Sequence, residues 1–244
     1  SSLLPNMSEL AANLAVIRAR IQEACLRSGR TIDTVELMAV SKNHPPETVS
    51  EAVGLGLTLF GENRIQEAKS KIPLSPDSAR WHFIGHLQSN NARDAVALFE
   101  MIQGVDSLDL AAELQKHAVK QSRRPAILLE VNIAGEESKF GWNPQAVLDA
   151  LPALRALDQL RLSGLMTIAP YSEDPEIARP VFRQLRELRD RCAERLGSPL
   201  PILSMGMSGD LEVAIEEGST LVRVGTALFG ARPSRPVPAN SGPL

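Results

Sequence analysis

Residues 36–46 read Glu36-Leu37-Met38-Ala39-Val40-Ser41-Lys42-Asn43-His44-Pro45-Pro46. The run from Glu36 is apolar nearly throughout rather than alternating, the mark of a strand in a parallel sheet covered by helices on its faces. A helix candidate follows at 46–54. The turn between them, Lys-Asn-His-Pro-Pro, contains no GxGxxG, so the first βα unit lacks the mark of a dinucleotide-binding open sheet.

The same alternation repeats outward along the chain. Strand candidates are 36–42, 57–62, 81–85, 101–106, 126–132, 162–169, 201–207 and 220–225. Helix candidates lie near 46–54, 63–71, 88–99, 108–121, 144–155, 175–196 and 209–217, with a short one from 226. An amphipathic helix over 8–28, capped by Ser8 and ended by Gly29, precedes the first strand. Eight βα units within 244 residues fit one α/β domain, a (β/α)8 barrel, better than the runner-up, a doubly wound open sheet. One barrel domain is expected over residues 1–232, with 1–7 a flexible lead. The Pro-rich stretch 233–244 has no core pattern and is expected to be disordered.

Lys42 stands out within this frame. Of the six lysines, 42, 69, 71, 116, 120 and 139, five lie among polar residues, and Lys42 alone ends an apolar strand. Partial desolvation there lowers an amine's pKa and suits it to a Schiff base with an aldehyde. By position alone, the plainer reading is a lysine that snorkels from a strand end.

Chemistry in such a barrel sits at the carboxyl ends of the strands. Ser208-Gly209 follows strand 7 and Gly225-Thr226 follows strand 8. Hydroxyls and free N–H groups at two helix starts make a phosphate cradle; singly, each is an N-cap. Both together, opposite a strand-end lysine, favour a ligand with an aldehyde and a phosphate, which pyridoxal 5′-phosphate satisfies. Arg223 shares the inward face of strand 8 with Gly225. A guanidinium beside a pyridine nitrogen opposes its protonation; the structural alternative is an ion pair with Glu62 or Asp210.

Composition closes other routes. A net charge of −3 gives no basic surface for nucleic acid. The arginines at 183, 186, 189, 191 and 195 alternate with Glu187, Asp190 and Glu194, as on an exposed helix face with paired charges. Cys25 and Cys192 form no CxxC, and the histidines at 44, 82, 86 and 117 show no zinc spacing, so no metal is expected and a reducing, cytoplasmic setting is the simpler reading. No apolar run is long enough to cross a membrane.

The segments AVSKNHP, FGENRIQEA, WHFIGHLQSNN, LLEVNIAGEESKFG, LSGLMTIAP, LSMGMSGD and GSTLVRVGTALFG resemble the YggS/PROSC family of pyridoxal-phosphate homeostasis proteins, from about residue 10 to 231. The resemblance implies the barrel of fold-type III pyridoxal-phosphate enzymes, similar to the N-terminal domain of alanine racemase. It implies Lys42 as the Schiff-base lysine, Ser208, Gly225 and Thr226 around the phosphate, Arg223 near the pyridine nitrogen, Asn63 in the pocket, and Met166 and Met207 near the ring. Lys139 falls in a family motif without an assigned role, and Asn91 stands where the family often has lysine. The barrel racemases carry a second domain that supplies a tyrosine base; this chain is expected to lack it, leaving His86 or Tyr171 as conceivable second bases. The expectation is a monomeric, non-catalytic carrier that buffers pyridoxal phosphate or delivers it to apo-enzymes, with no catalytic residue assigned. A pyridoxal-phosphate racemase is the alternative, and a Schiff-base aldolase a weaker third.

Overall fold

Ser8 starts the first helix: its hydroxyl oxygen accepts from Ala11 N (3.1 Å). The helix, α1 (Glu9–Arg27), buries the stripe Leu10, Leu14, Ile17, Ile21 and Ala24, one face of a 3.6-residue period. In the computed structural model, residues 8–137 and 139–231 are described. The expected flexible lead over 1–7 and the Pro-rich tail from 233 lie outside the described residues.

After α1, strands and helices alternate: β1 (Glu36–Val40), α2 (Pro46–Gly54), β2 (Leu59–Glu62), α3 (Ile65–Lys71), β3 (Arg80–Phe83), α4 (Ala92–Leu98), β4 (Met101–Val105) and α5 (Leu108–Gln121). The second half follows with β5 (Ala126–Glu130), α6 (Pro144–Arg155), β6 (Arg161–Met166), α7 (Arg179–Leu196), β7 (Ile202–Ser204), α8 (Leu211–Glu216), β8 (Leu221–Val224) and α9 (Thr226–Phe229). All eight strands are parallel, each pairs with the next, and β8 pairs back with β1 through Met38 opposite Arg223 and Ala39 opposite Val224. The expected barrel is therefore closed. No helix of the described residues is long and apolar enough to cross a membrane.

The strands are shorter than the apolar runs suggested. Ser41-Lys42, Asn132, Thr167 and Met205–Met207 lie beyond the ladders, because there the chain turns away to build the barrel mouth.

Strand alternation sorts the side chains into two cores. Outward residues such as Ala39, Phe60, Phe83, Ile102, Leu129, Leu165, Leu203 and Val222 pack against the helices in the main core. Two smaller clusters, Met38, Val40, Leu59 and Leu221 on one side and Met101, Ala126, Leu128 and Met166 on the other, fill the inward faces. Buried polar side chains share that interior: His82, Gln103, Ser204 and Arg223.

Three expectations change. Lys71 does not ride on a polar helix face but is 4% exposed, drawn between α3 and β2 by Glu62, 2.9 Å from its ammonium. Glu62 cannot reach Arg223 because alternation puts it on the outer face of β2, and Asp210 is not within ion-pair distance of Arg223 either; the guanidinium instead donates to Ser204 Oγ (2.5 Å) and Thr167 O (3.0 Å). The α7 arginines pair across helices as well as along one: Arg183 and Arg186 reach Glu217 beyond α8, at 3.1 and 3.3 Å.

Candidate functional site

Lys42 leaves β1 two residues after Val40, on the inward face set by Met38 and Val40, and is half-buried. The peptide on each side of it is pinned. Ser41 O accepts from Lys71 Nζ (2.7 Å), and Asn43 N donates to Glu67 Oε1 (2.5 Å). The same Glu67 oxygen accepts from Lys71 (2.9 Å), and Ser41 Oγ donates to Glu62 Oε2 (2.5 Å). Burial pushes the Glu62 carboxyl above its ordinary range, with Lys71 and the Ser41 hydroxyl pulling the other way. Asn43 takes the left-handed conformation (φ 66°), one that asparagine tolerates better than most residues.

The neighbouring strand ends bring the other expected residues to this mouth. Val40 pairs with Gly61, so Asn63 leaves β2 beside Lys42. Its Oδ1 is buried and has no hydrogen-bond partner among the described residues, a costly arrangement for a polar atom. Gly85 lies against it: a Cβ there would stand 2.5 Å from Asn63 O, so only glycine lets the two loops meet. On the other side, a Cβ on Gly225 would lie 3.4 Å from Val40 Cβ, which puts Gly225 and Thr226 next to the end of β1. Arg223, 4% exposed, lies below them; burial lowers its pKa to about 10, with Asp210 and Glu130 opposing, so it remains a cation at neutral pH.

Ser208 is half-buried in the turn before α8, and Met207 and Thr226 are exposed. That turn is held twice. Asp210 Oδ1 accepts from Met207 N (2.7 Å). Arg20 of α1 donates to Ser208 O (2.6 Å) and pairs with Glu212. Met207, Ser208 and Asp210 line a cleft of about 400 Å³ together with Tyr171 and Lys139. Met166, by contrast, is 1% exposed and packs in the interior with Met101 and Leu128: it is part of the floor, not the wall.

Two side chains that sequence reading passed over belong to the mouth. Glu130 ends β5 on its inward face, opposite Met166. Burial, reinforced by Asp106, raises its carboxyl to about 7, against the pull of Arg223 and Lys139. A glutamate closing an apolar strand, Ala126–Glu130, was a visible signal. Lys71 was not, since its burial depends on a partner in another element. The loop after β5 is pinned at its base, with Trp142 N donating to Glu130 O (2.8 Å) and Asn132 N to Trp142 O (2.9 Å). Gly141 makes that return possible at φ 124°, where a Cβ would meet Asn132 N at 2.7 Å. The loop carries Lys139 and Phe140; Phe140 stacks on His86 (3.8 Å between ring centres), and His86 Nδ1 lies 3.5 Å from Asp106. Tyr171 is 93% exposed. Asn91 is half-buried in the short turn before α4. No group of three or more metal-ligating side chains occurs among the described residues.

A parallel barrel with a lysine, an arginine and two hydroxyl-bearing turns at one mouth defines a class, and the alanine racemase N-terminal domain family matches residues 6–233. An alanine racemase of Clostridium difficile 630 shares that barrel at a TM-score of 0.75, with 15% identity over 94% of this chain and 58% of its own. Nearer relatives narrow the class. Pyridoxal phosphate homeostasis proteins of Aquifex aeolicus and Pseudomonas aeruginosa are 45% and 43% identical, covering 90% and 93% of this chain and 96% and 97% of theirs. PipY of Synechococcus elongatus, a structure with PLP bound, is 41% identical over 88% of this chain and all of its own, with a TM-score of 0.77. The chain belongs to the pyridoxal phosphate homeostasis protein family.

Proposed function

We propose that this protein binds pyridoxal 5′-phosphate at the carboxyl end of its barrel, tethered at Lys42, and that it stores the cofactor or passes it to apo-enzymes without turning over a substrate. The observation that carries this reading is Asn63 Oδ1: a buried acceptor beside the end of β1 that the described residues leave unmatched, and that a bound ligand's donor would satisfy. The remaining residues suit the same molecule. Ser208, Thr226 and the backbone N–H groups at Gly209 and Gly225 are available for its phosphate. Arg223 is available for its ring nitrogen, Met166 forms an apolar floor and Met207 a rim. When bound, the cofactor supplies an aldehyde that condenses reversibly with a primary amine.

The carrier reading is favoured over a racemase by Arg223. A guanidinium that stays charged opposes protonation of a ring nitrogen and leaves the ring a poor electron sink. The conceivable second bases support it too, because Tyr171 projects into solvent and one face of the His86 ring is covered by Phe140. Two buried free cysteines accord with a reducing, cytoplasmic setting, and we take the working unit to be a monomer.

The test is optical. Protein mixed with pyridoxal phosphate should develop a visible absorption band that Lys42→Ala removes, and the loaded protein should restore activity to an apo-enzyme. A wild-type protein that stays colourless refutes cofactor binding. Steady turnover of any L- or D-amino acid refutes the carrier reading.

A further inference from the structure

A single chain of hydrogen bonds crosses the barrel interior. It begins at Arg223 and runs through Ser204 Oγ (2.5 Å), Gln103 Oε1 (2.5 Å from Ser204), Gln103 Nε2 to His82 Nδ1 (3.0 Å), and His82 Nε2 to Glu100 Oε1 (3.0 Å). Ser204 and Gln103 are fully buried and His82 is 1% exposed. The chain threads between the two inward apolar clusters. It links the mouth of the barrel to the opposite rim, where Glu100 precedes β4 and also pairs with Arg80 (2.8 Å), itself paired with Glu36 (2.6 Å).

Its direction follows from the Arg223 end and the orientation of the Gln103 amide. A guanidinium only donates, so Ser204 Oγ accepts from Arg223 and spends its one proton on Gln103 Oε1. The amide nitrogen of Gln103 then faces His82 Nδ1, which must accept. The ring proton therefore sits on Nε2 and goes to Glu100. The cation and the amide together assign every donor along the path, and in a low-dielectric interior each bond polarises the next. A proton on Nδ1 would set donor against donor. Relief by turning the Gln103 amide would take away the acceptor that Ser204 uses and aim a second donor at the oxygen that holds Arg223.

We propose that Ser204, Gln103 and His82 are positioning residues for Arg223, holding its guanidinium in one orientation toward the ring nitrogen of the bound cofactor. The proposal rests on the reading that pyridoxal phosphate occupies this mouth. The charged groups bearing on the chain are Glu100, Arg80 and Glu36 at the far rim and Asp210 and Glu130 at the mouth.

Two measurements test it. In protein carrying 15N-labelled histidine, His82 Nδ1 should be the unprotonated, hydrogen-bond-accepting nitrogen of the ring and Nε2 the protonated one, with or without cofactor; a proton on Nδ1 overturns the proposal, and this readout does not depend on cofactor binding. In cofactor-loaded protein, Ser204→Ala should accelerate pyridoxal phosphate dissociation about tenfold or more, the loss expected when a hydrogen bond to a charged group is removed. It should also shift the pH at which the visible band changes, while Ser204→Thr, which keeps the hydroxyl, restores both. Gln103→Leu should repeat the Ala result. Ser204→Ala with an unchanged melting temperature, dissociation rate and spectrum overturns the proposal; if it does not fold, the histidine tautomer and Ser204→Thr decide. A visible band that survives Lys42→Ala instead refutes the tether at Lys42 and leaves the histidine result standing.

Discussion

Glu130 is the carboxyl that its surroundings change most visibly. Burial and the neighbouring Asp106 lift it from 4.5 to about 7, so between those values the folded chain keeps a proton that the unfolded chain releases. Its contribution to stability is therefore fully present below the ordinary carboxyl range and is lost as pH rises through 7. Glu130→Gln removes that titration. Urea unfolding from about pH 5 to about pH 8 should show the variant losing less stability than wild type, by up to about 3 kcal/mol; parallel pH curves would contradict the assignment. At this scale the sequence was legible where one residue's local context sufficed. Lys42, Ser208 and Gly225 stand out because each closes or follows a recognisable apolar run, and Arg223 because it is a charge inside one. Lys71 and Glu62 were illegible because their burial comes from each other, across α3 and β2, and no local pattern encodes a partner. Met166, expected near the ring, is the last residue of β6 and points into the barrel floor.

Strand ends are the elements' least regular parts and here the most used. Periodicity located all eight strands but ran past their ladders, since an apolar residue looks alike whether it pairs or turns into a loop. The helix over 8–28 was read more closely because Ser8 marks its start, and the structure shows Ser107 and Asn143 capping α5 and α6 in the same way. The charge pattern of α7 was read as a local matter, yet Glu217 beyond α8 collects Arg179, Arg183 and Arg186. Burial alone would push its carboxyl up, but hydrogen bonds from Arg183 and Arg179 hold it below its ordinary range. A lowered carboxyl stabilises above its unfolded value and loses that effect as pH falls through the folded one. Glu217→Ala should therefore cost about 2 kcal/mol at neutral pH, measured by denaturant unfolding, and progressively less in acid. A cost that is the same at every pH would mean that packing, not charge, ties α7 to α8.

At the scale of the molecule, a closed parallel barrel leaves no strand edge and one functional mouth. Cofactor bound there but not to unfolded chain should raise thermal stability. Pyridoxal phosphate at about a hundred times its dissociation constant adds about 2.7 kcal/mol, or roughly 5–10 °C for a chain of this size. Calorimetry should show that rise, and a smaller one for Lys42→Ala at the same concentration; an equal rise in both would place the stabilising contact elsewhere.

The hold of α1 on the last turns has a temporal consequence. Arg20 reaches Glu212 and Ser208, and Asn13 donates to Leu228 O, 215 residues further along the chain. During synthesis α1 emerges with its apolar face uncovered and meets these partners only once α8 and α9 have followed, as does β1 when it awaits β8. Such distant pairings are slow to form. The turns at Ser208 and Gly225 are thus completed long after the helix and strand that they pack on, and a nascent chain halted before α8 has Lys42 but neither turn beside it.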